Sequence, residues 1–235
     1  MTLRLSYFVP PAPLIAAKAD GMLHGIEVVE TRTIGSAAQL TGLLEGSLDV
    51  VVTAIDNLFE WTRAGVDVRL VGQVEPTTPL GVFAAAEIES LPGLAGRRFA
   101  VDAFDNGFAL VARCLLKRVD VNVEYVEVGG VGERLDALLA GEVAGTLLGP
   151  PFDTRALEGG MRELLTVQQV FPAFPGQGLV VRTQMLRNTE TRELLKALRA
   201  VGLLPIDSVG LDLLTRIRSE LGLLPPDVEL RALCA

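Results

Sequence analysis

The sequence predicts an α/β chain of two lobes, each a mixed, mostly parallel sheet flanked by helices, with two hinge crossings between the lobes. Three observations carry this expectation. A stretch is written twice: Gly35-x4-Leu40-x2-Leu43-Leu44-x-Gly46 recurs at the same spacing as Gly130-x4-Leu135-x2-Leu138-Leu139-x-Gly141, an offset of 95 residues. Strand and helix signals alternate along most of the chain. Two Pro/Gly-rich passages, Ser90–Gly96 before the second copy and Phe171–Gly178 after it, break the pattern, and the chain is expected to leave the first lobe near Gly81–Ala86 and return near Phe174–Val181.

Held without a gap, the offset carries Leu3–Phe8 onto Arg98–Ala103, Ile26–Thr31 onto Val121–Val126, and Leu48–Thr53 onto Val143–Leu148. Ala17/Ala112 and Val28/Val123 are further identities. In chain order, Leu3–Phe8 reads as a short strand. Pro10, Pro11 and Pro13 break it and lead into a helix over 12–20, ended near Gly21. Ile26–Thr31 is the second strand. Ser36 is a natural N-cap for a helix over 37–45 that stops at Gly46. Leu48–Thr53 is a near-continuous apolar run, as expected of a strand buried on both faces. Asp56 or Asn57 caps the next helix, and Val66–Val74 and Leu80–Ala86 are further strands. After the second copy, Arg162–Val167 and Leu179–Arg182 read as strands. Leucines at helical spacing make the tail, Glu190–Val201 and Asp207–Leu221, helical. The expected division is 1–86 plus 175–235 as the first lobe and 87–174 as the second.

Composition narrows the function classes. The formal net charge is −8 with no Lys/Arg stripe and 5% aromatic residues, which argues against a nucleic-acid surface. No apolar run is long and charge-free enough for membrane insertion. As written, the N-terminus runs straight into a strand with no basic segment and apolar core before it. The expected location is therefore cytoplasmic, or periplasmic or cell-surface if a signal has been removed. Cys114 falls among apolar residues of a helix and is expected to be a buried thiol; Cys234, next to the last residue, is expected to be mobile. His24 is the sole histidine and sits in a turn. Neither a metal site nor a Ser-His-Asp triad is supported, Gly129-Gly130-x-Gly132 has the wrong spacing for a dinucleotide fingerprint, and no cofactor is expected.

Leu40–Val52, Ile88–Val101 and Glu133–Gly149 give the chain its resemblance to a known group. It resembles the type II periplasmic-binding-protein-like fold, and within it the nitrate/sulfonate/taurine and thiamine-precursor (NMT1-like) substrate-binding proteins, over about residues 1–182. The resemblance implies a small organic ligand, anionic or heterocyclic, held in a cleft between lobes. It also implies a transporter permease as partner if the protein is exported. Yeast-type thiamine-precursor enzymes share only the scaffold, because their histidine and cysteine-rich motif is missing here. A second branch of the fold, cytoplasmic enzymes that dehydrate or decarboxylate small carboxylates, supplies the alternative reading.

In open parallel sheets ligands bind beyond the carboxyl ends of the strands, so the duplication nominates the loops there. In lobe one these offer Tyr7, Phe8 and Pro10; Gly35 and Ser36; and Thr53, Ile55, Asp56 and Asn57. In lobe two they offer Asp102, Asp105, Asn106, Gly107 and Phe108; Gly129 and Gly130; and Gly149, Pro150 and Phe152. The crossings add Thr77, Thr78, Phe174 and Gln177. Free N–H groups at helix starts favour anionic or carbonyl groups. Asp102, with Asp56 or Asp105, would move protons if the chain were a lyase, since a carboxylate in a dry site has its pKa raised. Under the gapless offset Tyr7 lies opposite Asp102, and such mismatched positions are where ligand or chemistry is to be sought.

Overall fold

The computed structural model of the chain describes residues 2–105 and 107–235. The first half runs β1 (Leu3–Tyr7), α1 (Ala12–Ala19), β2 (Val28–Arg32), α2 (Ser36–Glu45), β3 (Val50–Thr53), α3 (Asn57–Arg63), β4 (Val68–Gln73). The second half runs β5 (Gly81–Ala84), β6 (Arg98–Val101), α4 (Ala109–Arg118), β7 (Glu124–Glu127), α5 (Val131–Leu139), β8 (Gly145–Leu148), α6 (Phe152–Glu158), β9 (Arg162–Thr166) and the single turn α7 (Val167–Val170). The chain closes with β10 (Gly178–Arg182), α8 (Thr189–Ala200) and α9 (Ser208–Leu221).

The strands form two five-stranded sheets, β2-β1-β3-β10-β4 and β7-β6-β8-β5-β9. In each, four strands run in one direction and the strand fourth in order, β10 or β5, runs antiparallel to its two neighbours. That fourth strand comes from outside the repeat. Although β5 follows β4 directly in the chain, it pairs with β8 and β9, and β10 follows the second repeat yet pairs with β3 and β4. Residues 81–84, expected in the first lobe, thus lie in the second sheet. The chain divides into unit 1 (Met1–Thr77, Pro175–Leu211, Pro225–Ala235) and unit 2 (Thr78–Phe174, Asp212–Leu224). Helix α9 begins in the first and ends in the second, where the sequence had placed all of 175–235 in the first lobe.

The 95-residue offset is real over β2 to α3. Strand β3 maps onto β8 and α3 onto α6 with no shift, the N-caps Gly35 and Gly130 correspond, and Gly46 and Gly141 share φ values of 73° and 72°. In the first strand it slips by one. Thr33 N–H donates to Tyr7 O, whereas its counterpart Val128 donates to Val101 O; β1 pairs Ser6 with Val51, while β6 pairs Ala100 with Thr146. Tyr7 therefore corresponds to Val101, and Phe8 to Asp102, which corrects the pairing of Tyr7 with Asp102. The first helix also differs. Met22 N–H closes on Ala17 O where Val121 closes on Leu116 O, so the Ala17/Ala112 identity is coincidental.

In unit 1, alternation along β1 sends Leu3, Leu5 and Tyr7 to one face, where they pack with Leu14 and Ala17 of α1, Val50, Val52, Leu179 and Val181 of the sheet, and Leu194 and Leu198 of α8. Each such leucine or valine stabilises the fold by roughly 1.5–3 kcal/mol. Arg4 and Ser6 point the other way. Arg4 Nε and Nη2 grip the Asp49 carboxylate at 2.8 and 2.7 Å, and Arg4 N–H adds a third bond at 3.0 Å. This clamp fixes the chain entering β3 against the start of β1. Unit 2 has Arg98 at the corresponding strand start but Ala144 opposite it, so the clamp belongs to the first repeat alone.

In unit 2, Phe99, Ala100, Val101, Leu147 and Leu148 are buried with Leu110, Leu115, Leu135 and Leu138 from the helices. The Cys114 thiol is buried as expected and donates to Glu220 Oε2 at 3.3 Å; burial and that carboxylate push its pKa up to about 11. Arg118 holds the same Glu220 through two bonds at 3.0 and 2.6 Å, which seats the far end of α9 on α4. Cys234 is not loose. It forms an isolated bridge with Leu70, and Ala235 N–H donates to Leu70 O at 3.0 Å.

Burial raises the Asp49 carboxyl, but the Arg4 guanidinium and amide outweigh it and bring it below the usual range. A depressed folded pKa gives stability that is present above the ordinary carboxylate pKa and lost as pH falls through the lowered value. Asp49→Asn should therefore cost about 2 kcal/mol at neutral pH. Urea denaturation should show this gap closing as the pH is taken below the ordinary carboxylate range.

Candidate functional site

At the carboxyl ends of the unit 1 strands the backbone turns into α1, α2 and α3, and the polar side chains there are buried. Ser6, Ser36, Gln39, Thr53, Asp56 and Asn57 are each no more than 3% exposed. Ser36 is the first residue of α2 rather than its cap; Gly35 holds the cap position without a side-chain bond. Thr33 braces the turn, its Oγ1 donating to Gly35 O at 2.8 Å and accepting from Gly35 N–H at 3.2 Å. Asp56 holds the N-cap position of α3 in helical conformation, without a capping bond from its side chain. Asn57 Nδ2 donates to Thr53 Oγ1 at 2.8 Å, and its Oδ1 is buried without a partner. Ala54 and Ile55, in the same turn, are buried.

Gln39, on the first turn of α2, reaches the sheet. Its Nε2 donates to Val52 O at 3.1 Å and lies 3.5 Å from Ser6 Oγ, while its Oε1 has no partner. Tyr7, read from the sequence as a wall of the site, belongs to the core with its hydroxyl donating to Glu30 at 2.9 Å. The pleat decides this, because Tyr7 shares the face of Leu3 and Leu5. Phe8 is half-buried, its carbonyl accepting from Arg32 Nε, and Pro10 is exposed.

At the carboxyl ends of the unit 2 strands the decisive side chain is Arg134, 7% exposed, on the first turn of α5. Its Nη1 donates to Leu147 O at 3.1 Å and its Nε has no partner. Burial pushes the guanidinium's pKa down, and the charges of Asp102 and Glu133 oppose that shift. Glu133 is exposed and Asp102 half-buried.

The loop after β6 is held from two sides. Arg113 donates to the Asp105 carboxylate at 2.7 Å and to Phe104 O at 2.8 Å, and lies over the Phe104 ring at 3.9 Å. Arg218 of α9, fully buried, donates to Asp105 O at 3.2 Å and Leu223 O at 3.3 Å. Asp105 is thus an exposed, ion-paired loop residue. Gly107 takes φ +61°, where a side chain is strained. Asn106 lies outside the described residues. Phe108 is half-buried and meets the buried Phe174 ring at 6.0 Å between centroids.

Gly130 is buried at the start of α5, with Gly129 before it at φ +114°. A side chain at Gly149 would collide with Pro79 O, so this residue is fixed by packing. Pro150 is exposed and Phe152 buried. Near the crossings, Thr78 O accepts from Gln168 at 2.7 Å, Thr77 is half-buried, and Gln177 donates from its backbone and side chain to Glu75 at 3.3 Å.

Ser6, Gln39, Arg113, Arg134 and Arg218 were not among the expected site residues. For two of them the signal was present. Gln39 stands four residues before buried Leu43, and Arg134 four before buried Leu138, so each is a polar residue on the buried face of a repeated helix. Arg218 gives no such signal, because nothing local says that its helix changes units.

Two such sheets, each completed by an antiparallel strand from beyond its own repeat, define the type II periplasmic-binding-protein-like fold. Residues 11–202 match the NMT1/THI5-like family model, and the chain belongs to that family. No curated protein matches it. Among solved structures it is similar to the ligand-binding component of an ABC-type import system from Staphylococcus aureus, solved with zinc bound, at 15% identity over 96% of this chain and 94% of that one, TM-score 0.78. It is also similar to the alkanesulfonate-binding protein SsuA from Xanthomonas axonopodis pv. citri, bound to MOPS (15% identity, 100% and 98%, TM-score 0.76). A third similar structure is PhnD1 from Prochlorococcus marinus with methylphosphonate (13%, 94% and 98%, TM-score 0.69). These likenesses establish the fold. Among the described residues no cluster of three or more His, Cys, Asp or Glu could hold a metal ion, and no helix is long and apolar enough to cross a membrane.

Arg218→Met should loosen the loop after β6 by removing the donor to Asp105 O, and should cost about 2 kcal/mol for the charge-assisted hydrogen bonds lost. Amide hydrogen exchange followed by mass spectrometry should show faster exchange across residues 107–112, with β1 to β3 unchanged. Equal exchange in both proteins would count against the role given to Arg218.

Proposed function

We propose that the chain is a solute-binding protein that takes a small organic ligand on the loops at the carboxyl ends of its strands. One observation carries the reading. Of the five buried side-chain atoms without a hydrogen-bond partner among the described residues, three, Gln39 Oε1, Asn57 Oδ1 and Arg134 Nε, belong to side chains anchored at these strand ends. Native proteins leave few such groups unsatisfied, and a bound ligand is a ready source of partners. Family membership supports the same reading, as does the naming of similar structures as the ligand-binding component of an import system and as an alkanesulfonate-binding protein.

The ligand class this favours is a small acid, such as a carboxylate, sulfonate or phosphonate, or a polar heterocycle. Binding follows from preorganisation: the turns are braced by Thr33, Arg113 and Arg218 before any ligand arrives. In this role the protein works outside the cytoplasmic membrane and hands its solute to a transporter permease. Asp56, Asp102 and Asp105 then shape the loops or contact the ligand.

Native mass spectrometry of the purified protein should reveal a co-purified small molecule. A thermal-shift screen of carboxylates, sulfonates, phosphonates and pyrimidines should raise the melting temperature for at least one class. Turnover of a carboxylate without saturable stabilisation by any compound would overturn the assignment.

A further inference from the structure

Gln39 and Arg134 are the same position in the two repeats, 95 residues apart in the region where the offset holds without a shift. Each sits on the first turn of its helix and donates at 3.1 Å to the last-but-one carbonyl of the following strand, Val52 O and Leu147 O. Those carbonyls are themselves 95 residues apart. Each also keeps one buried polar atom without a partner, an acceptor on Gln39 and a donor on Arg134. The amide of Gln39 shows that tying the helix to the strand needs only a neutral donor. The positive charge of Arg134 is therefore surplus to anchoring.

That charge is also expensive to keep. Arg134 is 7% exposed, and among the described residues no carboxylate lies within 4.0 Å of its guanidinium. The charges of Asp102 and Glu133 act on it from beyond ion-pair distance and do not outweigh its burial, so a closer anion would stabilise it further. The first turn of α5, whose amides and dipole favour negative charge, starts at Gly130, whose carbonyl accepts from Arg134 N–H at 3.0 Å.

We infer that Arg134 is a specificity-determining residue that makes the strand ends of unit 2 the site for the acidic group of the solute, a charge that its neutral twin Gln39 does not carry. The ligand class is a small organic acid. The inference rests on the solute-binding reading and narrows it.

The twin supplies the test substitution. Arg134→Gln installs the side chain that already performs the anchoring in unit 1, so the variant should fold, as circular dichroism would verify. Thermal shift and calorimetry are run on both proteins with methanesulfonate, methylphosphonate and acetate, and with the uncharged isosteres dimethyl sulfone and acetamide. The wild type should respond to at least one anion and not to its isostere, and R134Q should lose that response at least tenfold. Arg134→Lys, which keeps the charge, should retain a weakened response; if R134Q does not fold, a folded R134K that ignores the anions overturns the proposal. Equal anion affinity in wild type and R134Q also overturns it, as does a wild type that binds isosteres as well as anions or responds to no anion. Should both proteins bind only an uncharged solute, or keep the same uncharged co-purified molecule, solute binding stands and this inference falls. With neither a co-purified molecule nor any response, both fall.

Discussion

A parallel sheet ends in backbone carbonyls that no strand neighbour satisfies, and in this protein the last-but-one carbonyl of the third strand of each sheet is tied to a side chain from the preceding helix. Everything at the strand ends follows from that bond. It draws the first turn of α2 or α5 down onto the sheet, buries the side chain that makes it, and brings the Gly35 or Gly130 turn to the same edge. Apolar packing alone would hold the helices on the sheet but would not fix their first turns at its end. The two buried side chains used, a neutral amide and a charged guanidinium, give otherwise similar ends different electrostatic characters.

The repeats diverge elsewhere with the same logic. Arg4 and Asp49 lock the start of β1 to the start of β3 in the first repeat, whereas the second has Arg98 and Ala144 there, and Arg98 turns to Glu142 O instead. The second repeat is stiffened at the opposite end of its first strand, where Arg113 and Arg218 hold Phe104 and Asp105. One repeat spends its charged side chains on the amino edge of its sheet, the other on the loop after its first strand.

Much of this was legible in the chain. The repeated motif lies in the segment where the offset holds, so α2, β3 and their twins could be placed within a residue or two. The offset failed in β1 because spacing between conserved-looking motifs says nothing about one extra residue in the connection between β6 and β7. Strand exchange was illegible for a different reason. Gly81–Ala84 and Gly178–Arg182 are nearly all buried, and a run apolar on both faces reads the same whichever sheet receives it. Burial of Tyr7 is written in its alternation with Leu3 and Leu5, although its place at a strand end points the other way. Asp102 and Asp105 fell in a loop as expected, yet Arg113 and Arg218 lie eight and more than a hundred residues from Asp105, and only the folded chain brings them to it.

The exchange of β5 and β10 sets an order on how the molecule can come into being. When the ribosome has delivered β1 to β4, the first sheet lacks the strand that belongs between β3 and β4, and that strand arrives only after the whole second repeat. The emerging first half must wait with two strand edges unpaired, while the second half can complete its sheet as soon as β9 emerges, since β5 precedes its partners. The nascent chain therefore finishes its later sheet first, and the earlier half depends on long-range closure for its final form.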